Sequence, residues 1–226
     1  MEYRAITPTG ERLLCMYEAL LEHFGPQGWW PAETPLEMMV GAVLTQNTNW
    51  GNVEKAIANL KRENLLDARR LHDMRPEALA ERIQPAGYYR VKTQRLQNLV
   101  RFLMERYDGE VDRLLGEDTE GLRSGLLGVK GIGPETADSI VLYAASRPVF
   151  VVDAYTHRIL LRHDLAEDRA SYEDMQALFQ DSLSEDVPLF QEFHALIVQT
   201  GKTYCRKTPR CEPCPLRNPD APSHFT

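Results

Sequence analysis

The chain has 226 residues, 43% apolar and 26% charged, a balance that belongs to ordinary globular proteins and excludes a disordered or low-complexity chain. Its formal net charge of −7 excludes wholesale electrostatic adhesion to polyanions, although a single face can still be basic. No apolar run approaches the ~18 residues of a membrane span, and "MEYRAITPTGERLL" has no signal-peptide pattern, so the sequence reads as cytoplasmic.

In chain order, apolar residues recur at three- and four-residue spacing over 11–24, 36–46, 51–63, 88–107, 134–145, 153–163, 172–183 and 188–200. Pro76, Thr119 and Pro134 add helix-start signals, which brings the expectation to roughly ten helices. Alternating β-branched patterns are nearly absent, and "VFVVD" at 149–153 is the one strand-like run. No repeat and no Gly/Ser linker interrupts the pattern, so the reading is all-α, and any two subdomains must be tightly joined.

Two stretches stand apart from this helical pattern. In "LLGVKGIGPETADSI", Gly131 and Gly133 let the chain turn with its backbone amides uncovered, and Pro134 fixes the first turn of a helix. Such amides can hold a phosphate of any sequence, while a plain turn between two helices is the other reading of the glycines. Cys205, Cys211 and Cys214 crowd into ten residues, whereas Cys15 lies far upstream. In a reducing compartment that spacing suits a metal site better than a disulfide framework.

"LLGVKGIGPETAD" followed by "VFVVDAYTHRI" resembles the helix-hairpin-helix DNA glycosylases of the endonuclease III superfamily. "GAVLTQNTNWGNVEKA", "PAGYYRVKTQRL" and "HALIVQTGKTYCRKTPRCEPC" match the same family, so the likeness spans residues 29–215. The resemblance implies a six-helix domain at about 35–147 and a composite domain from 1–34 with 148–226, with double-stranded DNA containing damaged bases lying across a cleft between them. A monomer associated with the nucleoid is expected.

The resemblance also assigns roles. Gln46 and Tyr88 are the plugs that fill the gap when a nucleotide leaves the stack. Gly131, Gly133, Thr136, Arg206 and Lys207 are the further contacts to DNA, the last two within a basic patch that also holds Lys202, Arg210 and Arg217. Asp153 is the catalytic carboxylate that stabilises positive charge on the sugar and orients water; it is also a preferred helix cap. His157, four residues on, shares its helical face.

Members that cut the strand carry a lysine where this chain has Glu135, and a carboxylate cannot form their Schiff base. The expectation is therefore a monofunctional enzyme. "GWWPAE" and "NTNWGN" hold Trp29, Trp30, Pro31 and Trp50 and resemble the 3-methyladenine branch, in which aromatic faces select a cationic base; packing is the alternative reading of these tryptophans. Glu135 joins them as a substrate-side residue.

"CRKTPRCEPC" resembles the loop that holds a [4Fe–4S] cluster in endonuclease III, with a first gap of five residues and no cysteine after Cys214. Cys15 is the expected fourth ligand, with Asp220, His224, zinc or a degenerate site as alternatives. Two other functions stay open: an endonuclease III-type enzyme for oxidised pyrimidines with weakened strand cleavage, and a DNA-binding module without catalysis.

Overall fold

The protein is described by a computed structural model covering residues 3–217. Among the described residues it is all-helical, with twelve α-helices, one 3₁₀ turn (Gln84–Ala86) and one π stretch (Ile140–Ala144). The chain divides into two units, Trp30–Val149 and a composite of Met1–Trp29 with Phe150–Thr226. None of its described helices is long and apolar enough to cross a membrane.

In the Trp30–Val149 unit, α2 (Pro35–Thr45) is apolar on almost every side, and Leu36 through Leu44 are all buried. Such a helix can only be central. Thr34 caps it by accepting from the Glu37 amide at 3.2 Å, and Pro35 sits where its missing N–H costs nothing. Against it pack α3 (Trp50–Arg62), α6 (Tyr89–Tyr107) and α9 (Pro134–Ser139), while α4 (Ala68–Asp73), α5 (Pro76–Ile83), α7 (Val111–Leu115) and α8 (Thr119–Leu127) join the same core through those helices. The 134–145 periodicity resolves into α9 followed by the π stretch.

The α8–α9 hairpin is braced by a charge pair. Asp138 is fully buried, and Arg123 Nε and Nη2 donate to its two carboxylate oxygens at 2.6 and 3.1 Å. This two-pronged geometry fixes the helix before the turn to the helix after it.

In the composite unit, α1 (Pro8–Phe24), α10 (Ala154–Arg162), α11 (Tyr172–Gln180) and α12 (Val187–Thr203) enclose Phe150, Phe179, Phe190 and Phe193. Phe150 stacks on Phe179 at 3.7 Å. Gly201 lets α12 press on α10, since a Cβ there would meet Tyr155 Cδ1 at 2.1 Å. The strand-like run forms no strand: Val149 to Val152 are buried, and side chains serve the backbone of Phe150 where a neighbouring strand would. Gln180 Oε1 accepts from the Phe150 amide at 2.8 Å, and Gln176 Nε2 donates to the Phe150 carbonyl at 2.6 Å. Buried β-branched residues signal burial as readily as pairing.

Replacing Arg123 with Met should strip the guanidinium from the buried Asp138 carboxylate, at a cost of about 3–5 kcal/mol in urea unfolding. Adding Asp138→Leu should recover most of that loss. A single variant within about 1 kcal/mol of wild type would show that the pair does not hold the hairpin.

Candidate active site and DNA-contacting elements

The hairpin is built around one obligatory glycine. Gly131 has φ +99°, and a Cβ there would lie 2.5 Å from Arg95 Cγ. Val129 and Ile132 anchor the turn in the core. Gly133 is different, with φ −100° and nothing within 4 Å of a built Cβ. Neither backbone strain nor packing asks for glycine there, so its effect is to leave the amides at the start of α9 uncovered.

The residues expected at this hairpin fall into two groups. Glu135 is exposed in the first turn of α9. Thr136 is buried, and its hydroxyl accepts from Gln46 Nε2 at 2.8 Å, so it holds a side chain and does not face outward to a phosphate. Gln46 also donates to the Gly131 carbonyl at 3.2 Å, while Arg95 Nη1 donates to Gln46 Oε1. Both ends of the Gln46 amide are thereby committed. Asn98 Nδ2 completes the tie with a bond to the Lys130 carbonyl at 2.8 Å.

Tyr88 is 73% exposed on a left-handed backbone with φ 45°. A large aromatic held in solvent on a sparsely populated conformation is costly, and such strain concentrates at working positions.

Trp30, Pro31 and Trp50 line a cavity of about 220 Å³ together with Glu37, Glu54 and Lys61. The indoles of Trp30 and Trp50 meet edge to face at 5.2 Å, and Tyr143 lies 5.4 Å from Trp30. Because the two indoles touch, a flat ligand cannot slide between them and must stack on an open face. Gly41 makes the room, since its Cβ would sit 3.2 Å from Trp30 Nε1. Lys61 reaches Glu33 at 2.9 Å and Glu37 at 2.8 Å. Burial alone would lower its pKa, but the hydrogen bonds it donates to Glu37 and Glu33 raise it, so it stays charged. With Glu54 the lining is still net acidic. Trp29 belongs to the composite unit, where Lys202 Nζ lies 5.5 Å over its ring, and Glu135 is not among the cavity residues.

Asp153 caps α10. Its Oδ1 accepts from the Thr156 amide at 2.7 Å and the Thr156 hydroxyl at 2.9 Å, while Oδ2 lies 3.9 Å from His194 Nε2. The side chain is 12% exposed. One oxygen is therefore locked, and the other faces His194. His157 contributes its backbone amide to the Asp153 carbonyl at 3.0 Å, and the imidazole beside the carboxylate is that of His194 from α12. Burial pushes the His194 pKa down against the pull of Asp153. Lys202, two turns along α12, is also lowered by desolvation and drawn up by Asp153. Sequence reading missed His194 and gave Lys202 only as part of the basic patch; the signal was a histidine inside the apolar run "LFQEFHALIV" with a lysine eight residues on.

The cysteine loop is anchored by α10. Arg158 Nε donates to the Cys205 carbonyl at 2.6 Å, and Arg162 donates to Cys205 Sγ at 3.2 Å and to the carbonyls of Arg206 and Lys207 at 2.7 and 3.1 Å. The side chains of Arg206 and Lys207 are exposed. Cys205 and Cys211 lie close enough to Cys214 to raise its pKa, after burial as the larger cause. Cys15 does not join them: it is exposed on α1, on the face away from buried Leu13, Tyr17 and Leu20. Among the described residues no group of three His, Cys, Asp or Glu side chains could hold a metal ion. The four-thiolate set expected for a [4Fe–4S] cluster is thus not assembled by Cys15, Cys205, Cys211 and Cys214, and Asp220 and His224 lie outside the described residues.

A family model described as HhH-GPD superfamily base excision DNA repair protein matches residues 40–185. A provisionally named DNA repair glycosylase of Methanocaldococcus jannaschii is 44% identical over 209 residues, covering 92% of this chain and 94% of that protein. Endonuclease III of Thermotoga maritima is 32% identical over 185 residues, 81% of each chain. Among solved structures, the H. pylori 3-methyladenine DNA glycosylase bound to 1,N6-ethenoadenine is 28% identical with a TM-score of 0.72, covering 87% of this chain and 98% of that one.

The buried neutral His194 makes stability depend on pH. Its folded pKa lies below the ordinary 6.5, so below that pH the unfolded chain binds a proton that the folded chain refuses, and stability falls on acidification. The unfolding free energy of wild type minus that of His194→Gln should shrink between about pH 7 and about pH 5, a subtraction that removes the parallel effect of His163. A pH-independent difference would refute the neutral assignment.

Proposed function

Because the chain belongs to the HhH-GPD superfamily of base excision DNA repair proteins, we propose that it is a monofunctional DNA glycosylase that releases N3-alkylated purines such as 3-methyladenine by direct attack of water. The observation that carries this reading is the Asp153 carboxylate, shielded from solvent with Oδ1 locked by Thr156 and Oδ2 left to act. As the N-glycosidic bond breaks, positive charge develops on the sugar. A fixed carboxylate in a poorly hydrated setting stabilises that charge without reorganising, and Oδ2 can orient the incoming water. A neutral His194 adds no competing positive charge. Glu135 offers no amine, so the sugar is captured by water and the strand stays intact.

The alkyl-purine assignment is supported by the Trp30–Trp50 pair in its acidic cavity. An N3-alkylated purine is cationic, and electron-rich ring faces beside Glu37 and Glu54 favour a cation over a neutral base. It is also an activated leaving group that needs little acid catalysis. The H. pylori relative, named for 3-methyladenine, points the same way. The likeness to endonuclease III of Thermotoga maritima favours a second reading, an enzyme for oxidised pyrimidines, against which Glu135 weighs.

Two measurements test this reading. Base release from methylated duplex DNA should leave the strand whole until alkali is added, and Asp153→Asn should slow single-turnover release by roughly 10²–10³-fold while binding to an abasic-site mimic is retained. A covalent complex trapped by borohydride, or near wild-type release by Asp153→Asn, would sink it. Separately, Trp50→Ala should cost about 1–3 kcal/mol in the preference for 3-methyladenine over a neutral purine. An unchanged preference would place base selection elsewhere.

A further inference from the structure

Lys92 is a charged residue in an apolar interior, and nothing in the glycosylase chemistry calls for it. It lies on α6, it is 1% exposed, and its ammonium donates to the carbonyl of Leu44 at 2.8 Å and to the carbonyl of Ala86 at 2.7 Å. Those acceptors have matching positions. Leu44 is in the last turn of α2, two residues before Gln46; Ala86 ends the 3₁₀ turn, two residues before Tyr88. Both carbonyls close a helical segment that cannot satisfy them internally. The two segments also approach each other directly, since a Cβ on Gly87 would lie 3.8 Å from Thr48 Oγ1.

We propose that Lys92 is a positioning residue that pins the two DNA-inserting segments to each other, so that Tyr88 and Gln46, the latter exchanging its bonds to Thr136, Gly131 and Arg95 for the duplex, enter one stack at a fixed spacing. A plug must arrive on both sides of a single vacated stack position, and a shift of about 1 Å between plugs is enough to lose alignment. Side-chain packing alone would leave two loop-like chain reversals free to drift, whereas one cation between two carbonyl dipoles couples them. Burial lowers the Lys92 pKa to about 8, with neighbouring Arg95 adding to the effect, which marks a strained position kept in spite of its cost. One turn further along α6, Arg95 holds the Gln46 side chain itself. The same helix therefore sets the backbone and the side chain of this plug.

The proposal rests on the insertion of Gln46 and Tyr88 into DNA, not on the identity of the excised base, and its test avoids the base altogether. The probe is a duplex carrying a tetrahydrofuran abasic site next to 2-aminopurine, whose fluorescence rises when the stack is opened. Wild type should raise it. Lys92→Met, which keeps the volume and removes the donors, should lose most of that rise while its affinity for undamaged duplex stays within about 2-fold of wild type. Lys92→Gln, with one shorter donor group, should fall between them and carries the same comparison should Lys92→Met not fold. In a Gln46→Ala/Tyr88→Ala background, removing Lys92 should change nothing further, a non-additivity that a general loss of stability would not produce. Full fluorescence from the Lys92 variants, or an equal further loss in the plug-less background, overturns the proposal. No rise with wild type overturns the insertion reading and this proposal together, whereas failure of 3-methyladenine release alone leaves the fluorescence result standing.

Discussion

Helix α2 ends inside the unit it organises, and the last carbonyls of a buried helix must find donors without help from water. The Lys92 ammonium supplies them at Leu44, and the same ammonium reaches Ala86. Much of the Trp30–Val149 unit follows from that constraint. With its end satisfied from the side, α2 can stop abruptly and release the chain into a left-handed turn at Asn47. Gln46 is then delivered to the hairpin, where Thr136, Gly131 and Arg95 take up its amide. The stem of Arg95 fills the space over Gly131, so the glycine's missing side chain and the arginine's presence are two aspects of one contact.

The composite unit solves a parallel problem at the opposite end of a helix. The start of α10 has unsatisfied amides, and Asp153 meets them through Oδ1. Only one of the two carboxylate oxygens is used in the cap, and the other faces His194. Capping fixes the orientation of the group. His194 and Lys202 stand along one face of α12 toward the same group, both held below their ordinary pKa values by desolvation.

Charge is partitioned within this acidic chain. Glu33, Glu37 and Glu54 surround Lys61 at the tryptophan cavity, whereas Arg206, Lys207, Arg210 and Arg217 are exposed in the cysteine loop. A cationic base and a phosphate backbone would be drawn to different surfaces. Arg158 and Arg162 tie that loop to α10 through its carbonyls, leaving the basic side chains outside the tie.

The sequence alone determined the helical class, the hairpin and the residue types available for chemistry, because helical periodicity, proline and glycine signals and the GIGPE stretch act over a few neighbouring positions. It could not reach features that depend on partners distant in the chain. "VFVVD" reads as a strand because β-branched residues favour burial, and only the fold shows that Gln176 and Gln180 replace a neighbouring strand. His157 is adjacent to Asp153 along the helix, yet the side chain that reaches the carboxylate is that of His194, forty-one residues away. Cys15 has the right chemistry for a ligand but lies on the outward face of α1, a matter of rotation about a helix axis set by Leu13, Tyr17 and Leu20 packing inward. Thr136, expected as a contact to DNA, is buried and bonded to Gln46. Local pattern fixes which element a residue belongs to; which groups then meet is decided by packing, since a buried polar group must be satisfied by whatever the fold brings within reach.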